Sequence, residues 1–378
     1  MQSKINKLKI VHFIHKPFLA GAQRASLDIL KSIDKSNYDT YLIFANDLSI
    51  ETHLRNDFIN EFESIGVKTV PLSSLKQNIG LNDFYTLIEL FKILLRIKPD
   101  IINTISSKPF FLGGIISFLL RVPIRIHTIQ GLSWYSKMPL HKKYFRYILE
   151  QISILFFNKI VFVNNYYMKY FPLQKYKSVY IPNGKKFDDF HIQFRDNDTV
   201  KILFVGRLDF QKDPVTLIKS FEHFLLNYTG GKNVILDIVG DGPDKLELEK
   251  YVIQSPVLTG KVIFHGWSND VNRYLKMADI FISTPRYEAF GFVFLEAANF
   301  YLPVISTNVE GVPEVVRNNQ GGFLNNVGDY ESISKAICLF VEDSNLRFKF
   351  GKFHGEYCRD KFLGLKVEKL YKKLYNIL

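Results

Sequence analysis

Tyr287-Glu288-Ala289-Phe290-Gly291-Phe292-Val293-Phe294-Leu295-Glu296-Ala297 sets two carboxylates eight positions apart, with a glycine between them. Eight steps exceed two helical turns, so the two acids are not helix neighbours. A strand-to-helix corner accommodates them instead. Glu288 sits on the loop, Gly291 lets the backbone approach a ligand, and Glu296 reaches in from the new helix. The amides of its first turn then point at an anion. Two hydroxyl-accepting carboxylates around a helix N-terminus suit a phosphorylated sugar. Taken alone, the same residues also read as two solvated glutamates.

Working outward from this corner, short β-branched runs alternate with amphipathic stretches, the pattern of α/β folds with parallel sheets. Strands are predicted at Leu8–Ile14, Thr40–Ala45, Val67–Val70, Asp100–Ile105, Ile124–Ile129, Lys159–Val163 and Ser178–Ile181. After Pro182-Asn183-Gly184, a polar stretch from Lys185 to Thr199 reads as a linker. A second series follows at Val200–Val205, Val234–Val239, Val262–His265, Asp279–Ser283 and Pro303–Ser306. The expectation is two Rossmann-like, doubly wound parallel-sheet domains, 1–184 and 185–361, facing across a cleft. A helical stretch, 362–378, would pack back on the first domain. Ligands in such sheets bind at the carboxyl ends of the strands.

Composition agrees with this size. At 378 residues the chain suits two domains, and 47% apolar residues supply their cores. Cys338 and Cys358 are too few for a disulfide framework and fit no metal-ligand spacing, which points to a reducing compartment. Lys4, Lys7 and Lys9 lead straight into a strand-like run, so no signal peptide is expected. The longest uncharged apolar stretch, Pro109 to Leu120, falls short of the ~20 residues a membrane span needs. The net charge of +12 is concentrated: Arg121 to Lys186 holds twelve Lys or Arg against the single Glu150.

Several motifs fall where a predicted strand ends. Gly21 follows the first strand, within Ala20-Gly21-Ala22. Gly206-Arg207-Leu208-Asp209-Phe210-Gln211-Lys212-Asp213-Pro214 follows the first strand of the second domain, with Asp213 placed as an N-cap before Pro214. Gly240-Asp241-Gly242-Pro243 follows the next strand. Arg207 and Lys212, converging on a diphosphate, would stabilise charge on a leaving group. At an effective dielectric near 20, each contact is of order 4 kcal/mol at ~4 Å.

In this arrangement the chain resembles the family-4 glycosyltransferases, retaining enzymes of the two-Rossmann-domain GT-B architecture. Gly206-Arg207 with Lys212 is similar to that family's G-R-L-x-x-x-K segment, Gly240-Asp241-Gly242-Pro243 to its G-x-G-P turn, and Glu288 to Glu296 to its E-x7-E element. Pro182-Asn183-Gly184 and Gly311-Val312-Pro313-Glu314 match its P-N-G and G-x-P-E. The resemblance implies that Gly206, Arg207 and Lys212 hold the diphosphate of a nucleotide-sugar donor and that Glu288 meets hydroxyls of the transferred sugar. It further implies that the backbone at Phe290 and Gly291 meets phosphate and sugar, that Gly240 belongs to the same donor site, and that Glu296 binds the ribose. Gly21 would let the first domain's loop close on the diphosphate. His265-Gly266-Trp267 would lie near the base or form a packed core edge.

Two positions depart from the family pattern. Ala20 stands where a first glycine is common, and Gln130 stands where a His near the reacting carbon is common. His127 lies three residues earlier, on the opposite face of a strand. Gln130 can hydrogen-bond a sugar hydroxyl but cannot titrate, so its expected role is positioning. Asp196-Asn197-Asp198 spells a D-x-D metal signature but precedes a strand and reads as a solvated loop. No metal and no cofactor are expected.

The basic segment includes a helical stripe of Phe145, Ile148, Leu149, Ile152, Leu155 and Phe156, expected mostly in the core. Its Lys and Arg, interleaved with Trp134, Tyr135, Tyr144, Tyr166, Tyr167 and Tyr170, fit a surface resting on anionic lipid. A lipid-linked saccharide acceptor would account for the same charge. The expected setting is peripheral, at the inner face of the cytoplasmic membrane, in surface polysaccharide assembly; the runner-up is a small soluble acceptor. A nucleic-acid partner is disfavoured because no recognised module appears. A nicotinamide-dependent oxidoreductase is disfavoured because Ala20-Gly21-Ala22 is no G-x-G-x-x-G.

Overall fold

The structure, a computed structural model, describes residues 7–76, 80–133, 138–190, 192 and 194–375, with only the backbone at 173 and 174. Lys4, Trp134, Tyr135 and Lys137 of the basic and N-terminal readings lie outside these residues. The chain forms two compact units: residues up to Gly184 together with those from Gly364 onward, and Lys185–Leu363.

Among the described residues the first unit holds seven strands: β1 (Leu8–Phe13), β2 (Tyr38–Ala45), β3 (Lys68–Leu72), β4 (Ile101–Ile105), β5 (Ile124–Ile129), β6 (Lys159–Phe162) and β7 (Ser178–Tyr180). They pair in parallel in the order β3-β2-β1-β4-β5-β6-β7. Central strands of such a sheet are covered on both faces and read as continuous apolar runs; all five residues of β4 are buried. Its helices are α1 (Gly21–Ser32), α2 (Thr52–Ser64), α3 (Asn82–Ile97), α4 (Ser107–Leu119), α5 (Leu140–Ser153) and α6 (Asn165–Met168). One sheet face packs on α1 and α2 through Ile29, Leu30, Phe58 and Phe62. The other packs on α3 and α4 through Leu90, Leu94, Leu112 and Ile116. Pro71, which has no N–H to donate, sits on the edge strand β3.

The second unit repeats the plan with β8 (Thr199–Val205), β9 (Asn233–Val239), β10 (Val262–Gly266), β11 (Ile280–Ser283), β12 (Val304–Thr307) and β13 (Gly322–Asn325). Their order is β10-β9-β8-β11-β12-β13, again parallel. Around them lie α7 (Pro214–Asn227), α8 (Lys245–Gln254), α9 (Asn272–Met277), α10 (Phe292–Asn299), α11 (Val312–Val315), α12 (Tyr330–Glu342) and α13 (Ser344–Phe362). The last helix, α14 (Gly364–Tyr375), belongs to the first unit and buries Val367, Tyr371, Leu374 and Tyr375 in the α1/α2 core. Phe362 closes α13 and does not open the last helix, because Leu363 is extended between the two.

Two sequence expectations are overturned here. β13 was not expected; Gly322-Phe323-Leu324-Asn325 is short and glycine-led, yet it pairs along its whole length with β12. The apolar stripe of α5 is not core. Phe145, Ile148, Ile152 and Leu155 are exposed, Leu155 by 59%, while Glu150 and Ser153 are the buried residues of that helix. Glu150 is satisfied inside by the Ser133 amide at 3.2 Å and Ser153 by the Leu149 carbonyl at 2.7 Å. Hydrogen-bonded polar groups thus take the inward side.

Candidate functional site

In the second unit the strand order reverses between β8 and β11, so their following loops leave the sheet in opposite directions and open a crevice. Residues 206–213 form the first of these loops and residues 284–291 the second. Backbone and side chains stitch the two together. The Arg286 amide donates to the Gln211 carbonyl at 2.8 Å, and Gln211 Nε2 donates to the Tyr287 carbonyl at 3.2 Å. Thr284 Oγ1 donates to the Asp213 carbonyl at 2.9 Å.

Lys212 and Glu288, 76 residues apart in sequence, form an ion pair between these loops, with side chains 17% and 12% exposed. Arg207 is paired with Asp209 at 2.5 Å and is 60% exposed. Asp209 also accepts the Lys212 backbone amide at 3.2 Å, so one carboxylate ties the Arg207 side chain to the Lys212 backbone. Tyr287 lies within reach of Asp209, Arg207 and Glu288. Burial, then Asp209, raise its phenol above the ordinary value, with Glu310 and Glu288 adding to this and Arg207 opposing. A Cβ placed on Gly206 would stand 3.6 Å from Lys212 Cγ, so the lysine stem crosses the glycine.

Gly291 has φ +78° and opens α10. The N-cap position is Gly291, which has no side chain to cap the helix, and amides of a helical first turn suit an anion. Phe290 is buried against Phe292 and Phe362, which holds the turn in place. Glu296 stands one turn further along α10, half-buried. Gly240 has φ +150°, and a Cβ there would overlap the Gly206 carbonyl oxygen. The ends of β8, β9 and β10 are therefore drawn together, with the Gly206 amide on the Val239 carbonyl at 3.0 Å and the Gly240 amide on the Gly266 carbonyl at 2.8 Å. Beyond them His265 is bound to Asp237 at 2.7 Å, and Trp267 is 58% exposed.

Asp213 does precede α7, with Pro214 at its first position, but it does not cap the helix backbone. Its carboxylate accepts from Thr216 Oγ1 at 2.7 Å and pairs with Arg286 at 2.9 Å, while its backbone is left-handed at φ 47°. Arg286 also lies over the Phe210 ring at 4.7 Å. Asp209, Arg286 and Tyr287 are thus site residues that the motifs alone did not single out. Their signal was position, since all three lie in the two loops of the reversal.

In the first unit, Gly21 opens α1 directly after Ala20. Gln130 forms a reciprocal amide pair with Asn183, at 2.9 and 2.8 Å. Each amide keeps one further N–H and one lone pair for another partner. His127 is buried, bonded to Thr104 Oγ1 at 2.8 Å and stacked on Phe110 at 3.6 Å. Desolvation lowers its pKa to about 3, which makes it a neutral core residue. At this unit's own reversal, between β1 and β4, a cavity of about 370 Å³ is lined by His15, Lys16, Ser106, Lys108, Arg146 and Glu150 among others. Burial and the neighbouring Lys108 and Lys16 lower the His15 pKa.

No group of three or more His, Cys, Asp or Glu among the described residues is placed to hold a metal ion. Asp196 of the D-x-D pairs with Lys232 in the stretch before β8.

A family model for glycosyl transferases group 1 matches residues 185–354, and one described as glycosyl transferase 4-like matches residues 24–159. The chain is 29% identical to a UDP-Gal:alpha-D-GlcNAc-diphosphoundecaprenol alpha-1,3-galactosyltransferase of Escherichia coli, over 100% of this chain and 98% of the relative. It is 25% identical to the capsular polysaccharide biosynthesis glycosyltransferase CapM of Staphylococcus aureus, over 97% of each. HepE of Anabaena, solved in complex with UDP, superimposes at a TM-score of 0.80 with 16% identity, over 98% of this chain and 100% of the other. The same protein has been solved with UDP-glucose. With both halves matched in order, the chain belongs to the family-4 glycosyltransferases and has their GT-B fold.

Proposed function

We propose that this glycosyltransferase moves a sugar from a UDP-sugar to a hydroxyl of a lipid-linked saccharide, in the assembly of a surface polysaccharide. The observation that carries the donor half is the Lys212–Glu288 pair at the β8/β11 reversal, beside Arg207 and the open end of α10. A diphosphate is the ligand that such a cluster of cations and amides suits. The relative from Escherichia coli takes UDP-Gal and a diphosphoundecaprenol-linked acceptor by its name, and HepE binds UDP. These support the same two substrates here.

In this reading Arg207 and Lys212 hold the diphosphate, and Lys212 leaves Glu288 for it. Glu288 is then released to accept hydroxyls of the sugar. The backbone at Phe290 and Gly291 meets phosphate and sugar, Gly206 and Gly240 let the strand ends that carry the donor loops approach closely, and Glu296 accepts from the ribose. In the first unit, Gly21 belongs to the diphosphate loop by resemblance, and Gln130 positions a sugar hydroxyl with the valences Asn183 leaves open. The cavity between His15, Lys16 and Arg146 suits the polar end of the acceptor.

Transfer proceeds with retention. The bond from C1 to the diphosphate oxygen breaks, the acceptor oxygen bonds C1 on the same face, and the acceptor proton passes to the departing phosphate oxygen. No protein base and no cofactor enter the step. Arg207, Lys212 and the α10 amides stabilise the charge on the leaving group. Because the acceptor is lipid-linked, the enzyme works as a peripheral protein at the inner face of the cytoplasmic membrane.

A thermal-shift panel of nucleoside diphosphates and nucleotide sugars tests the donor site, since a ligand bound only by the folded state raises the midpoint. UDP and one UDP-sugar are expected to stabilise, and Lys212→Met to abolish the shift. A flat response to every nucleotide overturns the reading. Transfer of labelled sugar to a lipid-diphosphate saccharide, with the anomeric configuration of the product read by NMR, tests acceptor and retention together.

A further inference from the structure

We infer that the outward sides of α3, α4 and α5 form one docking face for an anionic lipid bilayer. The inference rests on the membrane setting just proposed and says which surface makes the contact. α3 and α4 cover the sheet face opposite α1, α2 and α14, and α4 packs against both α3 and α5.

Helix α3 is apolar on two sides. Thr86, Leu90, Leu94 and Ile97 are buried, and Phe84, Tyr85, Ile88, Phe91 and Leu95 recur at helical spacing on the exposed side, Phe84 by 65%. α4 exposes Phe118 and Leu119 at its end. α5 adds the stripe that was expected to be core. A monomeric soluble surface rarely carries so many large apolar side chains on neighbouring helices, and such patches mark interaction sites.

Charge identifies the partner. The three helices contain three acids, and each is drawn into the fold. Asp83 pairs with Lys108 at 2.5 Å. Glu89 accepts the Ser73 and Ser74 amides at 3.1 and 2.9 Å. Glu150 is buried against the Ser133 amide. Apart from Lys108, which Asp83 holds, and Arg146, which donates to the Ser133 carbonyl, cations stay outside. Lys92 and Arg96 on α3, Lys98 after it, Arg121 after α4 and Lys142 on α5 are all exposed. An apolar surface whose exposed charges on these helices are cations fits acyl chains beneath anionic head groups. A second copy of the chain would set these same cations against one another, which opposes self-association. No helix among the described residues is long and apolar enough to cross a membrane, so the contact is interfacial.

The test is co-sedimentation of the full chain with vesicles of phosphatidylglycerol and phosphatidylcholine, against phosphatidylcholine alone, at low and high salt. Binding is expected only with the anionic lipid, weakened by salt. Lys92→Gln, Arg96→Gln and Lys142→Gln should each weaken it on the order of fivefold, and Phe84→Ser or Phe145→Ser on the order of tenfold. The same variants keep the wild-type thermal shift with UDP, which shows that they are folded. Vesicle binding that none of them reduces overturns the proposal. So does a concentration-dependent dimer, seen by sedimentation velocity, that they abolish in the absence of vesicle binding. Failure of the donor reading looks different: vesicles bind and the variants weaken binding, but no nucleotide stabilises the protein.

Discussion

At the scale of single residues, the two loops of the β8/β11 reversal are held together by paired charges. Lys212 neutralises Glu288 in a mostly buried setting, so removing either partner leaves the other desolvated and alone. Lys212→Met is expected to lower kcat/KM roughly 10²–10³-fold and to lower the thermal midpoint as well. Glu288→Gln keeps the shape, so the fold is expected to survive while turnover falls. The double variant should cost less than the sum of the singles, since both report on one pair; additive losses in a steady-state and thermal comparison would show that the two side chains act apart. His127 makes the opposite case. Neutral and stacked on Phe110, it serves packing, so His127→Phe is expected to retain turnover within a few-fold in the same assay.

The site's charged residues were legible because charge, glycine and spacing all fall at strand ends. Asp209, Arg286 and Tyr287 were not, because each acts through a partner in the other loop. That pairing follows from β11 lying beside β8, which no local pattern encodes.

At the scale of elements, periodicity announced α5 but not which side of it faces inward. A stripe at helical spacing predicts amphipathy alone. Burial of Glu150 and Ser153 depended on finding partners in Ser133 and Leu149, a tertiary circumstance. β13 was hidden for a related reason, since four residues led by glycine carry little strand signal until β12 supplies the ladder. The turn into α10 was clearer. Gly291 sits at φ +78°, and an added Cβ would lie 2.6 Å from the Phe294 ring. Gly291→Ala is therefore expected to destabilise by about 1–2 kcal/mol from the backbone alone, with more from the ring, and to weaken UDP binding. Urea unfolding and a nucleotide titration read the two effects, and an unchanged titration would separate the turn from the site.

For the whole molecule, three buried histidines among the described residues contribute to the response to acid. Desolvation lowers His12 and His127 to about 3 and His354 to about 4. Above pH ~6.5 these groups are neutral whether the chain is folded or not. Below it the unfolded chain takes up protons that the folded one refuses, so stability falls as pH drops towards 3–4. Each group contributes about 1.4 kcal/mol per pH unit across that window. Thermal midpoints measured from pH 8 to 5 should therefore fall on the acid side, and His12→Asn should make that limb shallower. An unaltered slope would mean that His12 is not titrating with unfolding.

His12 also reaches the far end of the chain: its Nε2 meets the Tyr375 hydroxyl at 2.8 Å, and Asn103 donates to that same oxygen at 3.1 Å. This has a consequence for biosynthesis. Domains generally fold in the order in which they leave the ribosome, yet here the half translated first lacks part of its interior until codons 364–375 are read. A stalled nascent chain ending before Gly364 should stay protease-sensitive across residues 7–184, while the later-made half, already whole, resists digestion.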